Sequence, residues 1–403
     1  MTRTVQLLVT LALLLGLWAV LAAPCADALG ADRQDGSWCP CGLAAAAYVH
    51  AGTCSVPESV EVWQELSSPI AGAPLTYDLG TARNFTLTSP VSTALPHDSI
   101  PAITSSIVPT QSLTGTLILA HYMAWFGSPN HITLPGYHSQ DPELLSSQIH
   151  AAQDMGIDGF VVDWYGPASP ENQDRAFIDQ AFAVLLDQAE QKSFKVALCY
   201  DQGTLRGVDP SLRVSRAISD VQYAASQYFT STAYLHYNDH PVLFVFPYAD
   251  VITPAEIMPA IHSAITATIF DKDPDAESLP YVDGFYAWVQ PTNPPDWQPD
   301  GSEWGESYLQ WFYSTMASSP YNGTITVGGV WPGFDDALAS WGTGRCMSRR
   351  CGQTWQDTWA IAIEHHPPIV QIDTWNDFEE GTAIEYGVGS CIYLPVILKE
   401  YKP

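Results

Sequence analysis

The chain has 403 residues, 46% of them hydrophobic, and carries 43 Asp and Glu against 15 Lys and Arg, for a formal net charge of -28 at pH 7. This content can form one large core or two smaller ones, which excludes a disordered chain. Nucleic acids are disfavoured as partners, because their binders must neutralise phosphates with Lys and Arg. Anionic membranes and acidic polysaccharides are also disfavoured, whereas neutral polysaccharides remain compatible.

The N-terminus has the features of an export signal. Arg3 precedes an apolar stretch from Val5 to Ala23, and Ala26-Asp27-Ala28 has the small residues at which signal peptidase cleaves. Residues 1–28 are therefore predicted to be a signal peptide, and the mature chain is expected to be secreted or extracellular, with attachment to the cell surface left open. An uncleaved N-terminal membrane anchor is the alternative, because the apolar stretch is nearly long enough to cross a bilayer.

Cysteine usage agrees with export, since disulfides persist in oxidising compartments. One of the 8 cysteines, Cys25, would leave with the signal peptide. Cys346 and Cys351 flank a short basic loop and could close it as a disulfide. Cys199 lies in an apolar run and is predicted to be a buried free thiol.

Composition divides the remaining chain into three parts. Residues 29–114 are rich in Ser, Thr, Pro and Ala, which predicts a linker or a small N-terminal module. From residue 115 to 390, short apolar runs alternate with helical patterns, as in repeated βα units around a parallel sheet. Residues 391–403 form a C-terminal tail.

The apolar runs predict a (β/α)8 TIM barrel preceded by the Ser/Thr/Pro-rich segment. An open doubly wound sheet is the alternative, disfavoured because no glycine-rich phosphate loop follows the first strand. Cys391–Ile397 is the candidate eighth strand, although Pro395 is awkward in a central strand. The seven clearer strands are Leu117–Tyr122, Gly159–Trp164, Phe194–Tyr200, Val242–Phe246, Asp283–Val289, Ile325–Val330 and Ile369–Thr374.

Two helices have recognisable starts. Asp141 is a predicted N-cap for a helix that begins at Pro142 and ends before Gly156. Thr253 and Glu256 have the spacing of a capping box. Both helices follow predicted strands, in agreement with the barrel.

Polar and aromatic residues recur where the predicted strands end, and strand ends carry the functional residues of such barrels. Aromatic rings stack on sugar rings while carboxylates and amides bind hydroxyls, so this mixture predicts a saccharide site. Packing in the core is the alternative for each Trp, and a hydrogen-bonded position inside the barrel is the alternative for the histidine. The predicted substrate-binding residues are His121, Tyr122, Trp125, Asp163, Trp164, Tyr165, Asp201, Trp288, Trp331, Trp375 and Asn376.

Asp377 and Glu380 are the candidate catalytic pair. Glycoside cleavage uses two carboxyl groups, one neutral and one charged. Placed three residues apart just after a strand, the two can face the same site, and like charges at that proximity raise one of the two pKa values, which would keep one group protonated. A solvated acidic turn is the alternative that the spacing leaves open.

A resemblance supports the catalytic interpretation. The segment Gln371–Glu385 resembles the catalytic motif of glycoside hydrolase families 71 and 99, which runs Trp-Asn-Asp/Glu, aromatic, any residue, Glu, and often Gly-Thr. Ala120–Trp125 and Gly156–Asp163 resemble the first two strands of family 71. Trp331–Asp336 resembles a loop common to relatives of both families. The resemblance extends from Leu117 to about Gly387.

The resemblance implies a (β/α)8 barrel that cleaves an α-linked neutral polysaccharide, α-1,3-glucan first and α-mannan next. Glu380 would be the general acid. Asp377 would be the base that activates water in an inverting family 71 enzyme, or would assist attack by the sugar's own 2-hydroxyl in a retaining family 99 enzyme. Glu379 departs from the pattern as an extra acid. No cofactor or metal is expected, and the chain is expected to be a monomer.

A non-catalytic protein of the cell surface or envelope that binds carbohydrate on the same barrel is the alternative function. Such a protein would keep its affinity when Asp377 and Glu380 are replaced by Asn and Gln. An enzyme would lose turnover by about 10²- to 10⁴-fold from the acid–base contribution alone.

Overall fold

The computed structural model describes residues 115–170, 172–291 and 303–385. The predicted signal peptide (1–28), the segment 29–114, the tail 391–403 and the candidate strand Cys391–Ile397 lie outside these residues. Among the described residues, eight parallel strands form the central sheet. They are β1 (Leu117–Met123), β2 (Gly159–Trp164), β3 (Lys195–Asp201), β4 (His240–Phe246), β5 (Thr268–Lys272), β6 (Gly284–Tyr286), β7 (Ile325–Val330) and β8 (Ile369–Ile372).

The eight strands close into a barrel. Each strand pairs in parallel with the next along the chain, and β8 returns to pair with β1. Leu119 of β1 stands opposite Gly159 on one side and Gln371 on the other. A short antiparallel strand, His236–Tyr237, extends the start of β4. The predicted (β/α)8 architecture is confirmed.

The eighth strand of the barrel was predicted in the wrong place. The ring is completed by β5, between β4 and β6, and needs no strand from Cys391–Ile397. β5 escapes a search for apolar runs because it ends in two charged residues. Asp271, only 1% exposed, accepts hydrogen bonds from Ser278 Oγ at 2.5 Å and from the Lys272 backbone N–H at 2.9 Å.

Six α-helices surround the barrel within the described residues, and none is long and apolar enough to cross a membrane. As predicted, the Asp141 carboxylate caps the helix that begins at Pro142, by accepting a hydrogen bond from the Glu143 N–H at 2.9 Å. The predicted capping box of Thr253 and Glu256 is also present, at the helix that begins at Pro254. A 3₁₀ turn at Leu279–Tyr281 lies between β5 and β6. The helices are α1 (Pro142–Asp154), α2 (Asp174–Lys192), α3 (Arg213–Gln227), α4 (Pro254–Ala264), α5 (Glu306–Met316) and α6 (Gln353–His365).

Successive side chains along each strand point alternately toward the surrounding helices and toward the barrel interior. The Tyr122 hydroxyl donates to Gln148 of α1 at 2.9 Å, whereas the neighbouring His121 packs edge-on against Trp288, which follows β6, with ring centroids 4.7 Å apart. Cys199 is a buried free thiol, as predicted. The Cys346–Cys351 disulfide stays a prediction, because the Cys351 side chain is not among those described.

Candidate functional site

The acidic segment after β8 folds into a turn organised by Asp377. Its Oδ1 accepts hydrogen bonds from the backbone N–H groups of Glu379 at 3.0 Å and Glu380 at 2.8 Å. Its own N–H donates to Thr374 Oγ1 at 2.8 Å. One carboxylate thus caps the turn that carries the second, as Asp side chains do at helix and turn starts. The predicted pair is brought together by local geometry and is not a solvated turn, since Asp377 is 1% exposed.

Asn376 attaches this turn to the first strand. Its Oδ1 accepts from the Met123 N–H at 2.7 Å, and its Nδ2 donates to the Met123 carbonyl at 2.9 Å and to the Tyr137 hydroxyl at 3.1 Å. The side chain is completely buried, and its amide satisfies the backbone where β1 ends. Asn376 therefore positions the turn that carries Asp377 and Glu380, and its fully engaged amide replaces the predicted contact to substrate.

Glu385 hydrogen-bonds the side chains next to this turn, and no role was predicted for it. It accepts hydrogen bonds from the Tyr137 hydroxyl at 2.5 Å and from Gln148 Nε2 at 2.8 Å. Burial raises its pKa to about 7, although these two donors oppose the rise. Glu385 lies at the end of the motif segment Gln371–Glu385, and this position was the one sequence feature that could have marked it as part of the site.

Glu380 presents its carboxylate to a loop that was not predicted to contribute. Oε1 accepts from Trp341 Nε1 at 2.8 Å and lies 3.7 Å from Arg345 Nη2. The side chain of Glu380 remains 16% exposed, in contrast to the buried Asp377. Burial raises the pKa of Glu380, while the Trp341 donor and the Arg345 charge oppose that rise.

Burial also raises the pKa of Asp377 well above its ordinary value, and the charge of Glu380 adds to the effect. The charge of Glu380 thus acts on the pKa of Asp377, whereas the pKa of Glu380 itself is raised chiefly by burial. Two neighbouring carboxyls whose pKa values are both raised do not both ionise readily. The pair can therefore hold one proton and one charge, which is the combination that glycoside cleavage needs.

Two further predicted acids join the pair. Burial, and then the charges of Asp201 and Asp377, raise the pKa of Asp163. Burial raises the pKa of Asp201 to about 7, against the backbone N–H groups of Gly203 and Thr204. Tyr165, which was also predicted, hydrogen-bonds Asp163 and lowers its pKa.

Tyr248, after β4, is a site residue that the sequence did not reveal. The charges of Asp201, Asp163 and Glu380 all raise its pKa, which places it among the carboxyls. It lies beyond the last apolar residue of its strand, where no motif marks it. Together these acids and phenols provide donors and acceptors for sugar hydroxyls.

The extra acid of the motif, Glu379, points to a different partner. Its Oε2 lies 2.8 Å from His131 Nδ1 and its Oε1 accepts from the Ile132 N–H at 3.1 Å, so it holds the loop between β1 and α1. His131 stacks on Trp125 with ring centroids 4.4 Å apart and an interplanar angle of 7°. The charge of Glu379 also raises the pKa of Asp377.

Four predicted aromatic contacts to substrate are instead packing contacts. Trp164 donates to Asp179 of α2 at 3.0 Å, and Trp331 donates to the Trp304 carbonyl at 3.0 Å. Because they are closed off from the site by full burial, these side chains cannot stack on a sugar, and core packing is the interpretation that holds for them. The four residues are Tyr122, Trp164, Trp331 and Trp375, all with 0% exposure.

The remaining predicted aromatics do border the site. Trp125 lies 6.5 Å from Tyr165 between ring centroids, and Trp288 contacts both His121 and Phe246. His121 is 1% exposed, and burial lowers its pKa to about 3, so it is neutral at physiological pH. It lies in the barrel interior, as the alternative for it had it, but its Nδ1 has no hydrogen-bond partner among the described residues, so the hydrogen bond of that alternative is not observed at this atom.

One group of side chains within the described residues could hold a metal ion. His121, Asp163 and Cys199 each offer one ligand atom, and these atoms lie within 4.8 Å of one another. All three are buried, and burial raises the pKa of the Cys199 thiol, which opposes the thiolate form that a metal requires. Histidine, carboxylate and thiolate are ligands for zinc and similar ions.

Comparison with known proteins gives consistent matches over the barrel. The family model described as "Glycosyl hydrolase family 71" matches residues 115–385. The Mus musculus glycoprotein endo-alpha-1,2-mannosidase is 22% identical over 300 residues, covering 69% of this chain and 60% of that protein. A Danio rerio glycoprotein endo-alpha-1,2-mannosidase-like protein is 24% identical over 289 residues, with 66% and 61% coverage. The chain thus spans about 60% of the length of these relatives.

A solved structure supports the fold. The GH99 endo-alpha-mannosidase of Bacteroides thetaiotaomicron in complex with BIS-TRIS propane superposes with a TM-score of 0.50 at 22% identity. The superposition covers 67% of this chain and 87% of that one.

Proposed function

Because the chain belongs to glycosyl hydrolase family 71, whose model matches residues 115–385, we propose that it hydrolyses O-glycosidic bonds with Asp377 and Glu380 as the catalytic carboxyls. The observation that supports this proposal is the pair itself. Both groups have raised pKa values for the same physical reason, burial, and each stands in a different hydrogen-bonding environment.

The two environments suggest the division of roles. Glu380 is the more exposed carboxyl and can reach a glycosidic oxygen as the general acid. Asp377 is held by two backbone N–H groups, which fix one of its oxygens and leave the other for water or for the 2-hydroxyl of the substrate. Whether configuration is inverted or retained depends on which of these Asp377 activates.

For the substrate, we propose an α-linked neutral glycan, with an α-mannoside as the first to test. The names of the relatives support this choice, since both are endo-alpha-1,2-mannosidases or mannosidase-like proteins. α-1,3-Glucan, which the family 71 resemblance favours, is the second substrate. Neutral polymers also suit a chain whose formal net charge is -28.

The test is reducing-sugar release from α-mannan, α-1,3-glucan and α-1,4-glucan by the wild type, Asp377→Asn and Glu380→Gln. Asp187→Asn and Glu364→Gln are matched controls, because these acids are exposed on α2 and α6. We expect release from one polymer, reduced by at least about 10²-fold in each catalytic variant and unchanged in the controls. Equal release from wild type and catalytic variants would reject the assignment.

The competing function is carbohydrate binding without turnover. It predicts no release from any polymer, together with pull-down by one polymer that survives both catalytic substitutions.

We further propose that the protein is secreted after cleavage following Ala28. N-terminal sequencing of the protein from culture medium would test this, with Leu29 as the expected first residue.

A further inference from the structure

Trp341 is an exposed indole beside the proposed general acid. Large hydrophobic side chains with high exposure are few in the described part of the chain: Leu212, Trp311 and Trp341, the last with 43% exposure. A single exposed Trp is ordinary. Trp341 differs from Trp311 because its Nε1 donates to Glu380 Oε1 at 2.8 Å.

Two neighbouring rings fix the orientation of Trp341. Trp125 and His131 are stacked on each other, and the Trp341 centroid lies 5.9 Å from each of them, at interplanar angles of 79° and 73°. Equal distances to two parallel rings mean that Trp341 stands beside the stack and not on top of it. The stack therefore supports one side of the indole, while the exposed part remains free to receive a ligand.

The loop that carries Trp341 is held rigidly by Asp336. This carboxylate, with 1% exposure, accepts hydrogen bonds from the backbone N–H groups of Thr343 at 3.0 Å, Gly344 at 2.9 Å and Arg345 at 2.8 Å, and from Arg345 Nε at 2.7 Å. A ring presented on such a loop loses little conformational freedom when it binds, which favours affinity.

We propose that Trp341 is the binding platform for the sugar on the leaving-group side of the cleaved bond, and that it takes one neutral hexopyranose unit against its exposed ring. The inference rests on the proposed function. A general acid protonates the glycosidic oxygen, which departs with the leaving sugar. A ring hydrogen-bonded to the carboxyl of that acid, Glu380, therefore lies next to the departing unit, whose apolar face can pack on the indole.

Three variants separate the platform from its hydrogen bond. Trp341→Ala removes ring and donor, Trp341→Phe keeps a ring and removes the donor, and Trp311→Ala removes an equally exposed Trp on α5. KM and kcat are measured on an α-linked oligosaccharide of the polymer that is cleaved, and on an activated aryl α-glycoside of the same sugar. The leaving group of the aryl substrate contains no sugar.

For the oligosaccharide, we expect Trp341→Ala to raise KM roughly tenfold and Trp341→Phe to raise it by less than about threefold. KM for the aryl substrate should stay unchanged in both. Trp341→Phe should move the alkaline limb of the kcat profile to higher pH, because the lost N–H holds down the pKa of Glu380. The proposal would be overturned if KM for the oligosaccharide were unchanged in Trp341→Ala, or if KM rose equally in Trp311→Ala.

Failure of the proposed function is a separate outcome. If the wild type hydrolyses none of the α-glycans, the same oligosaccharides are titrated by calorimetry into the wild type, Trp341→Ala and Trp311→Ala. If affinity is lost only in Trp341→Ala, the result supports Trp341 as a sugar-binding platform in a protein that does not hydrolyse the glycan. Equal affinity in all three proteins, or no binding by the wild type, overturns it.

Discussion

Replacing Asn376 by Ala should destabilise both the fold and the turn that carries the proposed catalytic residues. The substitution removes three hydrogen bonds, two to the backbone of Met123 and one to Tyr137. The Met123 N–H and carbonyl are then left without these partners in a buried position. Each buried backbone group without a partner costs about 1–3 kcal/mol, so the expected loss is about 2–6 kcal/mol. The free energy of unfolding of a typical domain is about 5–15 kcal/mol, so this loss would be a large part of the total.

The assay is equilibrium unfolding in urea, with Asn322→Ala as the control because Asn322 is exposed. We expect a lower midpoint at an unchanged slope, together with a kcat that falls because the turn carrying Asp377 and Glu380 is no longer tied to β1. Asn322→Ala should stay within about 0.5 kcal/mol of the wild type. A loss below about 1 kcal/mol in Asn376→Ala would refute the reasoning, since it would mean that water or a shifted backbone replaces all three bonds.

Two more predictions concern stability. The pKa of Glu385 is about 7 in the folded chain, above its ordinary 4.5, so folding takes up a proton between these values. The stabilisation from that proton is complete below about pH 4.5 and lost as the pH rises through 7, on the order of 3 kcal/mol. The melting temperature should fall from pH 5 to pH 8, and less steeply in Glu385→Gln; equal slopes would contradict this. Gly284→Ala would place a Cβ 2.1 Å from the Ile325 carbonyl oxygen in the neighbouring strand. We expect it to lower the unfolding free energy by about 1–3 kcal/mol, whereas Gly323→Ala, with no atom within 4 Å, should not; similar urea midpoints for the two would argue against a rigid β6–β7 contact.

Much of the site was predictable because its decisive features are local in sequence. Asp377 caps its own turn and presents Glu380, an arrangement within four residues, so the motif alone predicts that the two residues share one turn. The start of α1 at Asp141 is equally local. The ends of β2 and β3 also follow from sequence, because barrels collect functional residues at the carboxyl ends of strands, and Asp163 and Asp201 lie there.

Which aromatic residues face the site could not be predicted from the sequence and is seen only in the folded barrel. Barrel strands are buried on both sides, by helices outside and by packed side chains inside, so apolar residues occur on both faces and the pattern does not say which face is which. Trp164 and Tyr165 are adjacent in sequence, yet the first bonds Asp179 of α2 and the second joins Asp163.

Distant loops were also beyond the reach of the sequence. The repeated βα order, the acidic pair and the turn that holds it could be predicted from the sequence, because they depend on neighbours within a few residues. β5, Tyr248 and the contacts of His131 and Trp341 became apparent only in the closed barrel. Trp341 reaches Glu380 from 39 residues away, and no periodicity or spacing encodes such a contact. Closure of the ring brings the loops together, and that closure is a property of all eight strands at once.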